Sequence, residues 1–471
     1  MRFPIKESLS PVEIENGLKA VLKDGVASSI MSTLTGGVFL VAFAVKLGAS
    51  NALIGLLVAL LPLAQILQLP SIILVEKIRN RRAITVTACL LSRSAWFVAA
   101  LTPLLLSPSR GVAILIAVVA FHALFFAVSN CSWNSWMRDL VPQQSLGAFF
   151  SKRLGLVMAS GLIASLIAGL LLDVAEHVAV KGELFAYAFL FGMGGVAGLA
   201  GVYFLSRIPE PRLAPSLMQP FKRAVIQPFR DPNFRQLIFS LGGWNFAVNL
   251  AVPFLTVYML NQLHLNLTTI IALTALNQAA YLKSLKGWGK ISDRWSNKSV
   301  LAICGPFYLL SLLAWTFTTL PDKHLLTLPL LIVIHVTMGI SMAGITLASG
   351  NIGLKLAPSG QATSYLATKN FVNSIAAGIA PILGGAFADT FTSRELSWTL
   401  RWTSPGGEVA IEALSFEGFD FFFFTAFLIG LYALSRLALV KEVGEVKEQI
   451  IWSEFFAFVK RMGRHLAFPR K

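Results

Sequence analysis

Charged residues are scarce in this chain. Only 13% of its 471 residues are Asp, Glu, Lys or Arg, 55% are hydrophobic, and the mean hydropathy is +0.70. A soluble domain carries about 25% charged residues, so most of this chain cannot face water. The composition therefore excludes an ordinary soluble protein and predicts a polytopic membrane protein.

Cysteine is also rare. The three residues of this type, Cys89, Cys131 and Cys304, lie inside apolar runs without metal-ligand spacing, which predicts neither a disulfide framework nor a zinc site. The sequence contains no Gly-x-x-x-x-Gly-Lys-Ser/Thr loop, so we expect no ATP hydrolysis by this chain. It also offers no convergent set of nucleophile, base and metal ligands, and we predict no enzyme activity, no cofactor and no bound metal.

Positive charge, in contrast, is in excess, with a formal net charge of +16. In a soluble chain this excess would suggest a nucleic-acid partner. Here Lys and Arg are dispersed among apolar segments and form no continuous stripe, which favours basic loops on one side of a membrane. We therefore expect a lipid bilayer as a partner and no nucleic acid, and we expect the protein to be a monomer.

Long apolar segments recur along the whole chain. About 20 apolar residues cross about 30 Å of hydrocarbon as a helix, whereas the strands of a membrane barrel are much shorter. The chain is therefore predicted to be all-α, with twelve transmembrane helices. They lie at about residues 20–46, 51–77, 83–107, 111–137, 149–172, 184–206, 236–261, 268–288, 299–320, 325–353, 363–388 and 419–440.

The basic residues fall mainly in every second joint between these segments. The positive-inside bias then places both termini in the cytoplasm and predicts a multi-pass protein of the cytoplasmic (inner) membrane. A stretch with six prolines between Ser206 and Arg235 is predicted as a cytoplasmic linker. The expected domains are an N-terminal segment (1–19), a first six-helix half (20–206), the linker (207–235), a second half (236–440) and a basic amphipathic tail (441–471).

The stretch between the last two predicted helices breaks the helical pattern. Apolar and polar residues alternate from Leu396 to Thr403, a Pro-Gly-Gly turn follows, and alternation resumes at Val409. This pattern favours an extracytoplasmic β-hairpin over an irregular loop, with Trp398 and Trp402 at the lipid interface.

The two halves of the sequence repeat one another at a nearly constant offset. Several matches at one offset predict parallel halves related by an axis along the membrane normal. The matching positions are Glu76-Lys77 with Asp293-Arg294, Leu140 to Pro142 with Leu356 to Pro358, Arg153 with Lys369, and Asp173 with Asp389.

Together, twelve spans, a basic middle linker and this repeated acid–base motif resemble the major facilitator superfamily. The family pattern Gly-x-x-x-Asp-Arg/Lys-x-Gly-x-Lys/Arg is matched at Gly289, Asp293, Arg294 and Lys298, with a serine in place of the second glycine. The first copy departs further, because Glu76 replaces the aspartate and the leading glycine is absent. The segment from 133 to 153 also resembles a group of little-characterised bacterial members. The resemblance covers nearly the whole chain and names no substrate.

The repeated motif predicts a cytoplasmic gate. A carboxylate and a cation at helix ends can pair across neighbouring helices and release when the halves rock. The alternative is that these charges only set membrane orientation. We favour a latch for Asp293 and Arg294, and leave both interpretations open for Glu76 and Lys77. The predicted gating residues are Glu76, Lys77, Gly289, Asp293, Arg294 and Lys298.

The resemblance implies that spans 1, 4, 7 and 10 line a central cavity. These spans carry polar residues that lipid would disfavour. A site that is mostly apolar with a few oriented polar groups suits a small-molecule ligand. The predicted cavity residues are Ser32, Asn130, Asn134, Trp244, Asn245, Asn249, Thr337 and Ser341.

Three ionisable residues are candidates for proton coupling. Asp24 lies near the membrane portion of the first span, where withdrawal from water favours the protonated carboxyl group. The alternative is an ordinary helix-end charge pair with the adjacent Lys23. His122 and His335 lie deep in spans 4 and 10, where a histidine can shuttle protons or remain a neutral hydrogen-bonding residue.

Three cations fall within the apolar segments. Arg93 stands near the middle of span 3, where it must pair or reach water, and a structural anchor is favoured over a ligand contact. Arg153 and Lys369 are each expected to extend their charged ends to the cytoplasm.

The sequence, together with the family resemblance, thus predicts a secondary active transporter that moves a small-molecule substrate across the cytoplasmic membrane by alternating access, with proton coupling as one option. The alternative is a membrane assembly factor or lipid handler of the same fold, without transport of small solutes. The aromatic content and the amphipathic stretch that starts at Ile450 keep this second interpretation open.

Overall fold

A computed structural model of the protein describes residues 5–7, 9–105, 107–142, 146–178, 182–212, 221–319, 324–358, 362–391, 394–404 and 407–442. Its α-helices are α1 (Pro11–Thr35), α2 (Gly37–Lys46), α3 (Asn51–Ala64), α4 (Gln68–Ile78), α5 (Arg81–Leu105), α6 (Pro108–Leu140), α7 (Leu146–Val178), α8 (Gly182–Leu205), α9 (Phe221–Arg230), α10 (Pro232–Asn261), α11 (Leu267–Arg294), α12 (Asn297–Ala314), α13 (Thr327–Leu356), α14 (Ala362–Phe391) and α15 (Phe419–Ala438). Its strands are β1 (Ile5–Lys6), β2 (Glu210–Pro211), β3 (Glu395–Ser404) and β4 (Gly407–Glu417).

The helices confirm an all-α membrane architecture. Within the described ranges, ten helical segments are long and apolar enough to cross a membrane, and the bent pair Asn51–Leu67 with Pro70–Ile78 adds an eleventh if it forms one span. The remaining predicted segment lies on α11, a helix of 28 residues that also carries Lys283, Lys286 and Lys290. The count of twelve spans stays a prediction.

The first two predicted segments form broken helices. α1 starts with a capping box, in which Ser10 N donates to Glu13 Oε2 (3.0 Å) and Glu13 N donates to Ser10 Oγ (3.3 Å). It ends at Gly36, and Gly37 takes a positive φ of 52° that favours glycine. In the second segment the pair is bent by 51°. Pro62 and Pro70 flank this bend and each lacks a backbone donor.

The chain packs into two compact units. Unit 1 comprises Met1–Met218, Asn249–Ala272 and Ala377–Thr392, and unit 2 comprises Gln219–Val248, Leu273–Ala376 and Ser393–Lys471. These units group segments of the chain that pack together, and they are not the same division as the two predicted six-helix halves. The boundaries of those halves, 20–206 and 236–440, stay predictions. The predicted tail lies outside the described residues from 443 onward.

In unit 1, α1 packs closely against α8. A side chain at Gly194 would meet Thr35 at 2.5 Å, and one at Gly198 would meet the Met31 sulfur at 2.7 Å. Glycine at these positions lets the two helices approach one another. Further along, an apolar cluster that includes Trp136 joins α6 to both helices. This packing brings α1 and α8 to either side of the polar residues described below.

In unit 2, α12 packs against α13 and α15. Gly305 of α12 and Gly430 of α15 each leave room for a leucine of the other helix, because an added Cβ would lie 2.5 Å from Leu434 or 2.3 Å from Leu309. These contacts hold the first turn of α12 beside the residues that follow α15.

The predicted β-hairpin is confirmed. β3 and β4 pair antiparallel from Glu395 opposite Glu417 to Ser404 opposite Gly407, with an irregularity after Trp398. Trp398 and Trp402 lie on one face of β3, with 66% and 68% of their surface exposed. A second strand pair, β1 with β2, and helix α9 were not predicted from the sequence.

Candidate functional site

A buried ion pair joins α1 to α5 in unit 1. The Arg93 guanidinium donates to Asp24 Oδ1 from both Nη1 and Nη2, each at 3.1 Å. Only 3% of Asp24 and 7% of Arg93 is exposed. Ser28, one turn after Asp24, donates its hydroxyl to the same oxygen at 3.0 Å and accepts from Arg93 Nη2 at 2.8 Å. The negative charge of Asp24 therefore compensates the positive charge of Arg93, and Ser28 forms hydrogen bonds to both side chains.

Helix α8 shapes the third side of this cluster. Arg93 Nη1 donates to the Gly198 carbonyl oxygen at 2.9 Å. A Cβ at Gly201, almost one turn further, would lie 2.2 Å from Arg93 Nη1 and 2.9 Å from Asp24 Oδ1. The absence of a side chain at Gly201 is thus what admits the guanidinium between the helices.

The pairing shows which neighbours Asp24 and Arg93 contact, while the roles of both residues stay predictions. Asp24 does not pair with its neighbour Lys23, whose ammonium lies 5.7 Å from the centre of the Phe204 ring. Arg93 faces protein and is paired, as an arginine in the middle of a membrane span requires. The structure therefore joins a candidate coupling residue to a cation that the sequence presents separately.

A second buried network lies at the start of α5. The Arg81 side chain is fully buried and donates from Nε to Glu210 Oε1 (2.9 Å), with further bonds to Asp139 and to the Ser135 carbonyl oxygen (3.0 Å). Glu210 Oε2 accepts from the backbone N–H of Arg82 at 2.7 Å, so this carboxylate caps α5. Burial raises the pKa of Glu210, while the hydrogen bonds and charge of Arg81 act in the opposite direction.

The same device recurs in unit 2. Glu442, just after α15, accepts from the backbone N–H groups of Asn297 (3.3 Å) and Lys298 (2.7 Å) at the start of α12. It also accepts from the Asn297 side chain (2.9 Å) and pairs with Lys355 (3.3 Å). Asn297 and Lys298 follow Arg81 and Arg82 at the offset of the sequence repeat. Each unit therefore has a glutamate that follows one long helix and caps the start of another. Glu210 follows α8 and caps α5, and Glu442 follows α15 and caps α12.

Neither glutamate was predicted from the sequence. Glu210 and Glu442 are further apart in the chain than Arg81 and Asn297, so a comparison at one fixed offset misses them. A weak signal was present, since both glutamates follow a long apolar segment within a few residues.

The predicted gating residues lie around these caps. Lys298 belongs to the unit 2 network, and its ammonium donates to the Ala438 carbonyl oxygen at 3.1 Å. Asp293 and Arg294 are exposed at the end of α11, with Gly289 one turn earlier, and Glu76 and Lys77 close α4. A latch at these residues stays a prediction.

The two histidines have similar environments in their separate units. His122 Nδ1 lies 2.8 Å from the Ser92 hydroxyl, and its ring centre is 5.1 Å from that of Trp96. His335 Nδ1 lies 2.8 Å from the Leu331 carbonyl oxygen, and its ring centre is 5.5 Å from that of Trp315. Both are buried residues with hydrogen-bond partners, and their role in proton transfer stays a prediction.

Two of the predicted cavity residues belong to a polar chain in unit 1. Asn134 Nδ2 donates to Asn130 Oδ1, and Asn130 Nδ2 donates to Gln65 Oε1, both at 3.3 Å. Gln68 also donates to Gln65 Oε1. The two glutamines flank the bend after α3 and were missed in the sequence, where the neighbouring prolines mark the break.

The other predicted cavity residues lie on α1, α10 and α13. Ser32 is exposed on α1, and Trp244 packs against Tyr308 with ring centres 5.5 Å apart. Asn245 donates to the Leu241 carbonyl oxygen of its own helix at 2.8 Å. The remaining residues are Asn249 on α10 and Thr337 and Ser341 on α13.

For Lys369 the sequence-based expectation was wrong. Only 7% of this residue is exposed, and its ammonium donates to the Ser349 carbonyl oxygen of α13 at 3.2 Å rather than reaching water. Gly353 on α13 leaves room for it, because an added Cβ there would lie 3.3 Å from the ammonium.

Comparison with known proteins decides the family. The family model of the Major Facilitator Superfamily matches residues 25–381, about three quarters of the chain. The chain belongs to the major facilitator superfamily. As the family and the structural neighbours indicate, it is a multi-pass membrane transporter and not an enzyme. No curated protein matches the chain closely enough to suggest more.

Solved structures of this superfamily share the fold. A mutant of the nucleoside transporter NupG matches with a TM-score of 0.66 and 14% identity, covering 90% of this chain and 100% of its own. A bacterial homologue of the iron transporter ferroportin, in an inward-facing state, matches with 0.65 and 14%, covering 91% and 99%. A D-xylose–proton symporter matches with 0.64 and 13%, covering 93% and 100%. At these identities the likeness shows the fold of the transporter alone.

Proposed function

We propose that the protein is a secondary active transporter that moves a small molecule across the cytoplasmic membrane by alternating access, with Asp24 as the proton-coupling residue. The buried Asp24–Arg93 pair is the observation that carries this proposal. Asp24 lies on α1, the helix that the family resemblance assigns to the cavity. Among the described ion pairs between a carboxylate and an arginine that both lie within membrane segments, this pair is the most deeply buried.

Protonation of Asp24 would change the energetics of unit 1. A proton on the carboxyl group removes the negative charge that balances Arg93. The described contacts of this buried cation, with the Asp24 carboxyl group, the Ser28 hydroxyl and the Gly198 carbonyl oxygen, are then all neutral. A buried charge that loses its partner is destabilised by about 3–5 kcal/mol. Any conformation that offers Arg93 water or another anion is then favoured, which links the proton to a conformational change.

The test is counterflow in proteoliposomes. A thermal-stabilisation screen of the purified protein first identifies a ligand. Its panel includes nucleosides, D-xylose and peptides, which the names of structural neighbours give as their substrates. We expect the stabilising ligand to exchange across the membrane without ATP. Asp24→Asn should retain exchange and lose accumulation driven by a pH gradient.

Glu15→Gln is the matched control. Glu15 lies on the same helix, its side chain is 67% exposed, and it pairs only with Lys19 at 2.7 Å among the contacts of the described residues. This variant should behave like the wild type. Full pH-driven accumulation by Asp24→Asn would remove the coupling assignment. A ligand that binds without exchange, with a co-purifying membrane protein, would instead favour the assembly-factor alternative.

A further inference from the structure

Arg153 and Lys369 are cations within membrane-spanning helices, and no ion pair with an acidic residue is described for either of them. Arg153 stands seven residues after the first residue of α7, and Lys369 stands seven residues after the first residue of α14. The offset between them is the one that also relates Arg81 to Asn297. The same charge thus occupies the same place in the two halves of the sequence.

Arg153 lies in unit 1, where an aromatic ring is its main contact. Its guanidinium carbon is 4.7 Å from the centre of the Trp133 ring, and its Nε is buried without a hydrogen-bond partner. It packs on Gly25 of α1, where an added Cβ would lie 3.1 Å from Nε. No carboxylate of the described residues forms an ion pair with it. Asp24, the acid that acts on it electrostatically, is held by Arg93.

Lys369 lies in unit 2 in a similar state. Its ammonium has three donors, and the single bond described for it goes to the Ser349 carbonyl oxygen. None of the described ion pairs includes this residue. Trp133 and Ser349, the residues on which the two cations rest, are themselves related by the offset of the repeat. Each cation therefore contacts the equivalent position of a helix in its own unit.

The two buried arginines show how this chain compensates a buried positive charge. Arg93 is paired with Asp24, and Arg81 is paired with Glu210 and Asp139. Aromatic stacking or one carbonyl contact compensates a desolvated cation only partly, because a buried charge needs an opposite charge and several hydrogen bonds. Within the described part of the chain, Arg153 and Lys369 therefore keep hydrogen-bond donors that an anion could use.

We propose that the transported substrate is an organic anion, that Arg153 forms a binding position for a carboxylate or phosphate group within unit 1, and that Lys369 forms a second such position within unit 2. This inference rests on the proposed transport function and names its substrate class. Arginine and lysine both recognise such groups by charge-assisted hydrogen bonds.

The first test needs no ligand. In nanodiscs, Arg153→Met and Lys369→Met should keep the Tm of the ligand-free protein or raise it by about 2 °C or more, because each removes an uncompensated charge. Arg93→Met should lower the Tm, because it leaves Asp24 without its partner. A fall of several degrees in both Arg153→Met and Lys369→Met would assign these residues to structural roles and overturn the proposal.

The second test measures binding by thermal shift at constant ionic strength. The probes are succinate against succinamide, benzoate against benzamide, and glucose 6-phosphate against glucose, which separates carboxylate from phosphate recognition. At least one anion should stabilise the wild type, and its neutral counterpart should not. The apparent Kd should rise at least about tenfold in Arg153→Gln and Lys369→Gln, and less in Arg153→Lys. Lys152→Gln, which removes the exposed cation next in the sequence, should bind like the wild type.

The remaining outcomes separate this proposal from transport itself. Stabilisation by none of the three anions, or binding that is unchanged in Arg153→Gln and Lys369→Gln, would overturn the anion assignment. Counterflow of a neutral ligand that persists in both variants would overturn it too and would leave the transporter function standing. An anion that binds through these residues and never exchanges would contradict transport and not the anion site.

Discussion

The Asp24–Arg93 pair leads to a quantitative prediction for a double-mutant cycle. Asp24→Asn leaves a cation without its counter-charge at a residue that is only 7% exposed, and Arg93→Met leaves a carboxylate without its counter-charge at one that is only 3% exposed. Removing one partner of such a pair costs about 3–5 kcal/mol of the free energy of unfolding. If the two losses were independent, the double variant would lose about 6–10 kcal/mol.

The double variant should lose much less. With both charges absent, the remaining loss comes from hydrogen bonds of Ser28 and Gly198, about 1–3 kcal/mol in total. The expected coupling energy is therefore at least about 3 kcal/mol. It is measured by denaturant titration in mixed micelles, followed by tryptophan fluorescence, on the wild type, both single variants and the double variant.

An exposed pair on the same helix serves as the control cycle. Glu15 and Lys19 are bonded at 2.7 Å with side chains 67% and 63% exposed, so their coupling energy should stay below about 0.5 kcal/mol. If the Asp24 and Arg93 losses add within about 0.5 kcal/mol, the two residues do not stabilise one another and the basis of the coupling proposal is lost.

Three further predictions concern the packing around the pair, the helix caps and the hairpin. Gly201→Ala should lower the Tm and impair proton coupling, because the added Cβ would overlap the Arg93 guanidinium. Gly192→Ala should be tolerated, because the nearest atom to its added Cβ is 3.9 Å away. Equal Tm values for the two variants would contradict this geometry. Glu210→Gln should reduce the free energy of unfolding more than Glu442→Gln. The reason is that Glu210 balances the fully buried Arg81, whereas the side chain of Lys355, the cation paired with Glu442, is 54% exposed. The reverse order in a denaturant titration would refute this prediction. If one face of β3 rests on lipid, spin labels on neighbouring residues should differ in what they collide with. In a chain with its three native cysteines replaced, a nitroxide at Trp402→Cys should collide mainly with oxygen, and one at Thr403→Cys mainly with a water-soluble nickel complex. Similar accessibilities at the two positions would exclude that orientation.

The long apolar segments carried most of the fold information in the sequence. Helix length in a membrane is set by hydrocarbon thickness, which is a local property of the chain, and the predicted segments overlap the observed helices. α11 is the weakest case, because three lysines near its end dilute its hydropathy. The bends at Gly36 and after Pro62 depend on single residues and their neighbours in space, and they were not predicted from the sequence.

The site was predicted in pieces. Asp24 and Arg93 were both singled out as residues that need an explanation in a membrane, yet they are 69 residues apart in the chain. Their meeting depends on how α1 and α5 rotate against α8, and on the missing side chain at Gly201. Helical periodicity contains no such information, so tertiary packing alone could join them.

The glutamate caps were missed for a different reason. Glu210 lies in a proline-rich stretch that looked like a linker, and its charge carried no signal of a buried partner. The structure shows Glu210 and Glu442 buried against the first turns of α5 and α12. Polar residues outside apolar segments can be as deeply buried as those within them when a helix N-terminus supplies the donors.

Proton movement is the most direct measure of the proposed mechanism. Proteoliposomes loaded with the pH-sensitive dye pyranine receive the stabilising ligand, without a pH gradient or a membrane potential. Wild-type protein should change the internal pH in step with ligand movement, Glu15→Gln should do the same, and Asp24→Asn should exchange ligand with no change in pH. A pH change in Asp24→Asn equal to that of the wild type would contradict proton coupling through the Asp24–Arg93 pair.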